Sequence, residues 1–286
     1  MNSQSKVSVI TGAGSGIGQA LAKAAHRLGH RVVALDVDDK GLSQLSEVAD
    51  CQRLDVRDDE AFESVAAQVY EQYGRVDYLF NNAGVLVDGK SWQRSARDWR
   101  WQLEVNVLGV VNGLRAFIPR LLQQTESSFV INTASIGGLL GGSAYMAPYQ
   151  ASKHAIVALT ESLHQEMLQE DAGVQVACLC PGDVATGIFN SQRLLPESER
   201  YQLNSEAERA THEAIAGMVA QGMTPAALAE YVFSELDAGK FWLLPDESFK
   251  PLFEWRANHI LNGSSPENLQ QMIAEMTAEK MDGGSQ

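Results

Sequence analysis

Through the first two-thirds of the chain, short apolar runs alternate with longer stretches whose apolar residues recur at helical spacing. The runs at 7–11, 31–36, 51–55, 76–81, 128–135 and 174–181 predict six strands, and 241–244 a seventh. The intervening pattern predicts helices over 16–28, 40–48, 60–73 and 149–169, with further helical segments up to Gln124. The strands are apolar and β-branched on both alternating faces, as strands covered on both sides must be. Strand–helix alternation of this kind implies an α/β fold, a doubly wound parallel sheet of about seven strands with helices on both faces.

No internal repeat and no linker divides the chain, so residues 1–286 are expected to form a single nucleotide-binding domain. Two segments depart from the alternation. Residues 188–223 form a polar, helical insert placed to act as a substrate loop or lid, and 248–281 form a helical C-terminal extension. In the extension Leu269, Met272, Ile273 and Met276 make an apolar stripe suited to packing on the body or on another subunit. The tail 282–286 is expected to be disordered.

Composition narrows the function classes. Hydrophobic residues at 45% against 20% charged exclude a mostly disordered chain. The net charge of −14 argues against nucleic-acid and anionic-membrane surfaces, which need basic patches. Three cysteines in no framework spacing suggest reduced thiols and a cytoplasmic location. Cys178 and Cys180 share one face of a predicted strand and read as buried, inert thiols. No metal site is expected, because no further Cys or His has ligand spacing. No secretory leader is expected before a strand at Val7, and no apolar stretch approaches the roughly 20 residues of a membrane span.

The first strand runs into Thr11-Gly12-Ala13-Gly14-Ser15-Gly16-Ile17-Gly18 and then a helix. Such glycines admit a pyrophosphate close to the backbone, and the helix N-terminus offers it free N–H donors. Asp36 ends the second strand, eighteen residues past Gly18. A carboxylate there accepts both hydroxyls of an adenosine ribose and repels a 2′-phosphate, with Asp38 and Asp39 adding to the repulsion. No arginine or lysine lies within the glycine loop or directly after Asp36, which favours NAD over NADP. Asp55 either accepts from the adenine amino group or belongs to the start of the next helix. The asparagines of Asn81-Asn82-Ala83-Gly84 suit tying loops together better than touching substrate. Tyr149 and Lys153, four residues apart, lie on one helix face. An ammonium beside a phenol favours the phenolate, bringing the tyrosine towards acid–base work at an alcohol oxygen.

In their order these motifs resemble the compact, single-domain branch of the short-chain dehydrogenase/reductase family, whose nucleotide-binding unit is Rossmann-type. The likeness covers residues 6–188 and includes Pro181-Gly182. It implies a tetrad of Asn106, Ser135, Tyr149 and Lys153. Tyr149 would be the acid or base, and Lys153 would lower its pKa and hold the nicotinamide ribose. Ser135 would steady the substrate oxygen, and Asn106 would hold a water linking Lys153 to solvent. It further implies a cofactor site of Gly12, Ser15, Gly16, Ile17, Gly18, Asp36, Asp55, Val56, Asn82, Ala83 and Gly84, continued by Tyr149, Lys153, Pro181, Gly182, Val184 and Thr186. Thr186 would bind the nicotinamide carboxamide. Family members pair helices corresponding to 101–122 and 149–167 between subunits, so a homodimer or homotetramer is expected.

The 135–149 loop is about one residue longer than the commonest family spacing, and Asp183 stands where the family often has a small or apolar residue. Leu140, Met146, Asp183 and Phe189 are the candidate substrate contacts, suggesting an apolar pocket. The expected activity is NAD-dependent interconversion of a secondary alcohol and a ketone. The alternatives are an NADPH-preferring carbonyl reductase, an epimerase or dehydratase of the extended branch, and a catalytically silent NAD-binding sensor or scaffold.

Overall fold

The computed structural model describes residues 5–170 and 173–266. The apolar stripe from Leu269 to Met276 and the tail 282–286 lie outside the described residues. Seven parallel strands form one sheet: β1 (Val7–Thr11), β2 (Arg31–Asp36), β3 (Asp50–Arg53), β4 (Tyr78–Asn81), β5 (Ser128–Thr133), β6 (Val174–Leu179) and β7 (Trp242–Leu243). Their order is β3-β2-β1-β4-β5-β6-β7, so chain direction across the sheet reverses between β1 and β4. A crevice opens at such a switch point beyond the carboxyl ends of the strands, where ligands of open α/β sheets bind.

Alternate residues of each central strand feed two separate cores, which is why the strands are apolar throughout. Val9, Leu79, Val130 and Cys178 join one core with Phe62, Phe117 and Ile156. Their neighbours Ile10, Phe80, Ile131 and Leu179 join the other, with Leu21, Leu228 and Phe233. The first core is closed by helices α3 (Asp59–Tyr73), α5 (Gly109–Leu121) and α6 (Ala147–Gln169), and the second by α1 (Gly16–Arg27) and α8 (Pro225–Asp237). Helix starts follow local chemistry. The Asp58 carboxylate accepts from Ala61 N at α3, and Thr224 caps α8 just before Pro225.

The second predicted helix is shorter than its pattern suggested. Helix α2 spans Asp39–Ser43 only. The hydroxyls of Ser43 and Ser46 donate to the Lys40 and Ser43 carbonyls, diverting the chain into turns. After β4, helix α4 (Ala96–Leu103) passes into α5 through a π-helical turn at Glu104–Leu108.

The insert consists of 3₁₀ turns at Ile188–Leu194 and Glu197–Glu199 followed by helix α7 (Glu206–Ala220). Buried polar bonds hold it to the segment after β4. The Tyr201 hydroxyl donates to Asp88 Oδ1 at 2.8 Å, and His212 Nδ1 lies 2.7 Å from Asp88 Oδ2. The Lys90 backbone N–H donates to Glu208 Oε1 at 2.9 Å. Helix α9 (Lys250–Asn262) follows β7, and Arg256 Nη1 donates to the Leu139 carbonyl at 2.8 Å.

Candidate active site

A cavity of about 1060 Å³ opens where the carboxyl ends of β1, β4, β5 and β6 meet the insert and the start of α9. Every candidate catalytic, cofactor and substrate residue lines it except Gly18 and Asn106, which support it from behind. Gly12 and Gly16 hold φ of +67° and +54°, the left-handed region that favours glycine. A side chain on Gly12 would also meet the Ala83 Cα at 2.7 Å. Gly18 acts by packing, since a Cβ there would stand 2.2 Å from the Gly12 carbonyl oxygen. Ser15 is the N-cap residue of α1 but makes no side-chain cap hydrogen bond. The first N–H groups of α1 therefore face the cavity without a protein cap, a donor set that fits a dinucleotide's pyrophosphate.

Asp36 stands beside this loop. Its Oδ2 accepts from Gly14 N at 2.8 Å and its Oδ1 from Asp38 N at 2.9 Å, so it both shapes the loop and sets negative charge at the cavity rim. Asp55, two residues past β3, also lines the cavity. Its carboxylate is gripped by Arg57, with Nη2 to Oδ2 at 2.6 Å and Nε to Oδ1 at 3.0 Å. Burial alone would raise that carboxyl, but the guanidinium outweighs it and holds Asp55 below the usual carboxylate range. The cap of α3 is Asp58, not Asp55. Asn82 ties loops as expected, with Nδ2 donating to the Thr11 carbonyl at 3.0 Å.

The fold also brings cations that the local sequence does not show. Arg193, from the insert, reaches within 3.4 Å of the Ser15 hydroxyl and 4.0 Å of the Asp38 carboxylate. Arg53 donates to the Val37 carbonyl at 2.6 Å and pairs with Asp39 at 2.9 Å. The expectation that no cation could serve a 2′-phosphate held only along the chain; in space two arginines border that rim.

At the other end of the cavity Ser135, Tyr149 and Lys153 converge. Ser135 leaves β5 as the N-cap of a 3₁₀ turn, and its Oγ accepts from Gly137 N at 3.0 Å. That bond leaves the serine proton free to donate, and the hydroxyl stands close enough to the Tyr149 phenol to favour its ionised form. Lys153 is 4% exposed, its Nζ donating to the Thr133 carbonyl at 2.8 Å and lying 5.7 Å from the Tyr149 ring centre. The loop joining Ser135 to Tyr149 contains the left-handed Tyr145, at φ 66°. Backbone strain of this kind costs on the order of 1–3 kcal/mol and concentrates near functional sites. Here the Tyr145 carbonyl accepts from Gly89 N at 2.7 Å, anchoring the loop across the cavity.

The electrostatics correct one expectation. The phenol of Tyr149 is not lowered by its lysine. The ring borders the cavity, but protein surrounds it closely enough that lost hydration raises its pKa, and the Ser135 hydrogen bond offsets this only in part. Burial likewise lowers Lys153, to about 8, so the ammonium still prevails at neutral pH but by a much smaller margin than in water. The Cys180 thiol is pushed far above its ordinary range by Cys178 and by burial, and the two sulfurs lie 3.6 Å apart, consistent with inert thiols.

Asn106 lies in the π-helical turn and is 1% exposed, not solvent-facing. Its Oδ1 accepts from Val85 N at 2.8 Å, while Nδ2 donates to the Val85 carbonyl at 3.0 Å and to Ser152 Oγ at 3.1 Å. Those bonds fix the strand exit at Val85 beside α6. The Asn106 Oδ1 and the Lys153 Nζ each lie 3.6 Å from where a Gly84 Cβ would stand, so the two flank one glycine. Asn106→Ala strands both polar groups of Val85. The loss expected is about 1–3 kcal/mol of stability, read as a lower midpoint in denaturant unfolding; an unchanged midpoint would show that Val85 finds other partners.

Comparisons with known proteins agree with this geometry. The short chain dehydrogenase family model matches residues 6–195. A short-chain dehydrogenase/reductase from Burkholderia phymatum, solved in complex with NAD, is 34% identical, with a TM-score of 0.87 over 94% of this chain and 98% of that one. The CLA biosynthesis dehydrogenase/reductase of Lactiplantibacillus plantarum is 29% identical over 275 residues, 92% of this chain and 95% of that protein. A metagenomic short-chain oxidoreductase solved with NADP is 32% identical, with a TM-score of 0.58 over 62% of this chain and 82% of that one. The chain belongs to the short-chain dehydrogenase/reductase family, and is an NAD(P)-dependent oxidoreductase of that family.

Proposed function

We propose that the protein interconverts a secondary alcohol and a ketone with NAD as the favoured cofactor and Tyr149 as the acid–base group. The observation that carries this is the meeting of the Ser135 hydroxyl, the Tyr149 phenol and the buried Lys153 in one cavity with an uncapped helix N-terminus. The bound dinucleotide would supply the hydride acceptor or donor. The protein's part is orientation and proton handling at one oxygen. Ser135, with its own oxygen accepting from Gly137 N, donates to the substrate oxygen and stabilises charge developing there. Tyr149 gives that oxygen a proton in ketone reduction and takes it back in alcohol oxidation. Lys153 stands beneath the ring, held by the Thr133 carbonyl, where it can bond a ribose hydroxyl.

The raised phenol fixes the sign of the pH dependence. The acid form is held at neutral pH, so ketone reduction is level there and falls as pH climbs through the phenol's titration. Alcohol oxidation needs the base form and rises over the same interval. Measured with hydride transfer rate-limiting, parallel profiles in the two directions would contradict Tyr149 as the shared proton carrier.

NAD is favoured because Asp36 occupies the rim that a 2′-phosphate would share. The NADPH-preferring alternative draws support from Arg193 and Arg53 on that rim, although both already pair with acids. Initial rates with each dinucleotide decide between them. The insert would serve as a lid over the bound substrate, swinging on the 3₁₀ turns at Ile188–Leu194. A homo-oligomer through α4, α5 and α6 is also proposed, because Leu103 and Leu108 remain 37% and 50% exposed beside these helices; light scattering gives the subunit number.

A further inference from the structure

We infer that the substrate is a bulky, uncharged alcohol or ketone carrying a large apolar group, and that the C-terminal segment forms one wall of its pocket. This rests on the oxidoreductase assignment above and concerns the end of the cavity beyond Ser135 and Tyr149. Three separate parts of the chain build that end. The 135–149 loop contributes Leu140 and Met146, the insert contributes Phe189 and Ile215, and the C-terminal segment contributes Phe249 and Leu252. Leu140 and Leu252 are both buried and form a small core of their own with Ile136, the residue after the catalytic serine. The Phe249 ring packs so tightly on Gly182 that a Cβ there would meet it at 2.8 Å. The C-terminal segment therefore stands directly against the two chain positions that flank the reacting centre, Ile136 and Gly182.

The charges lining the cavity are distributed unevenly. Its cations are Arg53, Arg57, Arg193 and Lys153. Arg53, Arg57 and Arg193 pair with Asp39, Asp55 and Asp38 at the adenosine end, and Lys153 is held by the Thr133 carbonyl with its remaining donors committed, in the proposed reaction, to the cofactor ribose. None of the six wall residues is charged, and Asp183, next to Gly182 and beside Asp246, lines the same cavity. A substrate carboxylate or phosphate near the carbinol carbon would leave water without a cation to meet it and with Asp183 repelling it. Apolar substituents instead gain about fourfold in affinity for each methylene buried.

The test uses Tyr149→Phe enzyme loaded with NADH, which holds a ketone without turning it over, with nicotinamide fluorescence reporting binding. The probes are 2-alkanones of increasing length and keto acids of matched length whose carboxylate lies two carbons from the carbonyl. Affinity is expected to rise about fourfold per methylene over several methylenes, and each keto acid to bind at least about tenfold more weakly than its uncharged counterpart. Phe249→Ala should reduce the ratio of long-chain to short-chain affinity, a ratio insensitive to partial loss of folded protein. Affinity independent of length, preference for the keto acid, or an unaltered ratio in Phe249→Ala overturns the proposal. Length-dependent binding with no ketone reduced by the wild-type enzyme would support the pocket's specificity while defeating its assignment as a redox site.

Discussion

Replacing Tyr149 with phenylalanine is expected to lower kcat by about 10²–10⁴-fold while NADH still binds. The substitution removes one oxygen and leaves the ring in place between Ser135 and Lys153. Neither group beside the ring is suited to take over: Ser135 lacks acidity in the working range, and Lys153 is fixed to the Thr133 carbonyl. The apolar and backbone surfaces proposed to seat the dinucleotide, from Gly12 to Thr186, are untouched. Single-turnover absorbance of the nicotinamide separates the two quantities. A loss of NADH binding equal to the loss of rate would mean that Tyr149 holds the cofactor and does not carry the proton.

The second large effect is at Asp36. Asp36→Ala is expected to weaken NAD by about ten- to a hundredfold, the range for losing hydrogen bonds to a charged group, and to weaken NADP much less. Part of the loss comes from the protein itself, because Gly14 N and Asp38 N lose their acceptor and the loop between them loosens. That part acts on both dinucleotides equally, so the ratio of NAD to NADP affinity isolates the ribose contact. Titration calorimetry with each cofactor gives the ratio. An unchanged ratio would transfer the choice of cofactor to Arg193 and Arg53, which border the same rim.

The strands were legible because each has apolar residues on both faces, and the two cores require just that pattern. The site was legible wherever its residues sit at strand ends or one helical turn apart, as Gly12, Asp36, Ser135, Tyr149 and Lys153 do. What stayed hidden depends on space. Arg193 meets Ser15 from 178 residues away, and no local spacing announces it. Phe249 and Leu252 become pocket walls only because α9 docks on the 135–149 loop. The bonds of the Asn106 side chain to Val85 depend on the π-helical turn that carries it, which no local spacing announces. The sign of the Tyr149 shift is hidden for the same reason. A neighbouring cation is visible in sequence, whereas the burial that raises the phenol and lowers the lysine is a property of the assembled walls.

The most direct measurement is a crystal structure of the enzyme with NAD and a bound alcohol. The account predicts the alcohol oxygen within hydrogen-bonding distance of both the Tyr149 and Ser135 hydroxyls, with its carbinol hydrogen facing the nicotinamide ring. An alcohol oxygen bound by other groups, with the Tyr149 hydroxyl turned away from it, would contradict the account.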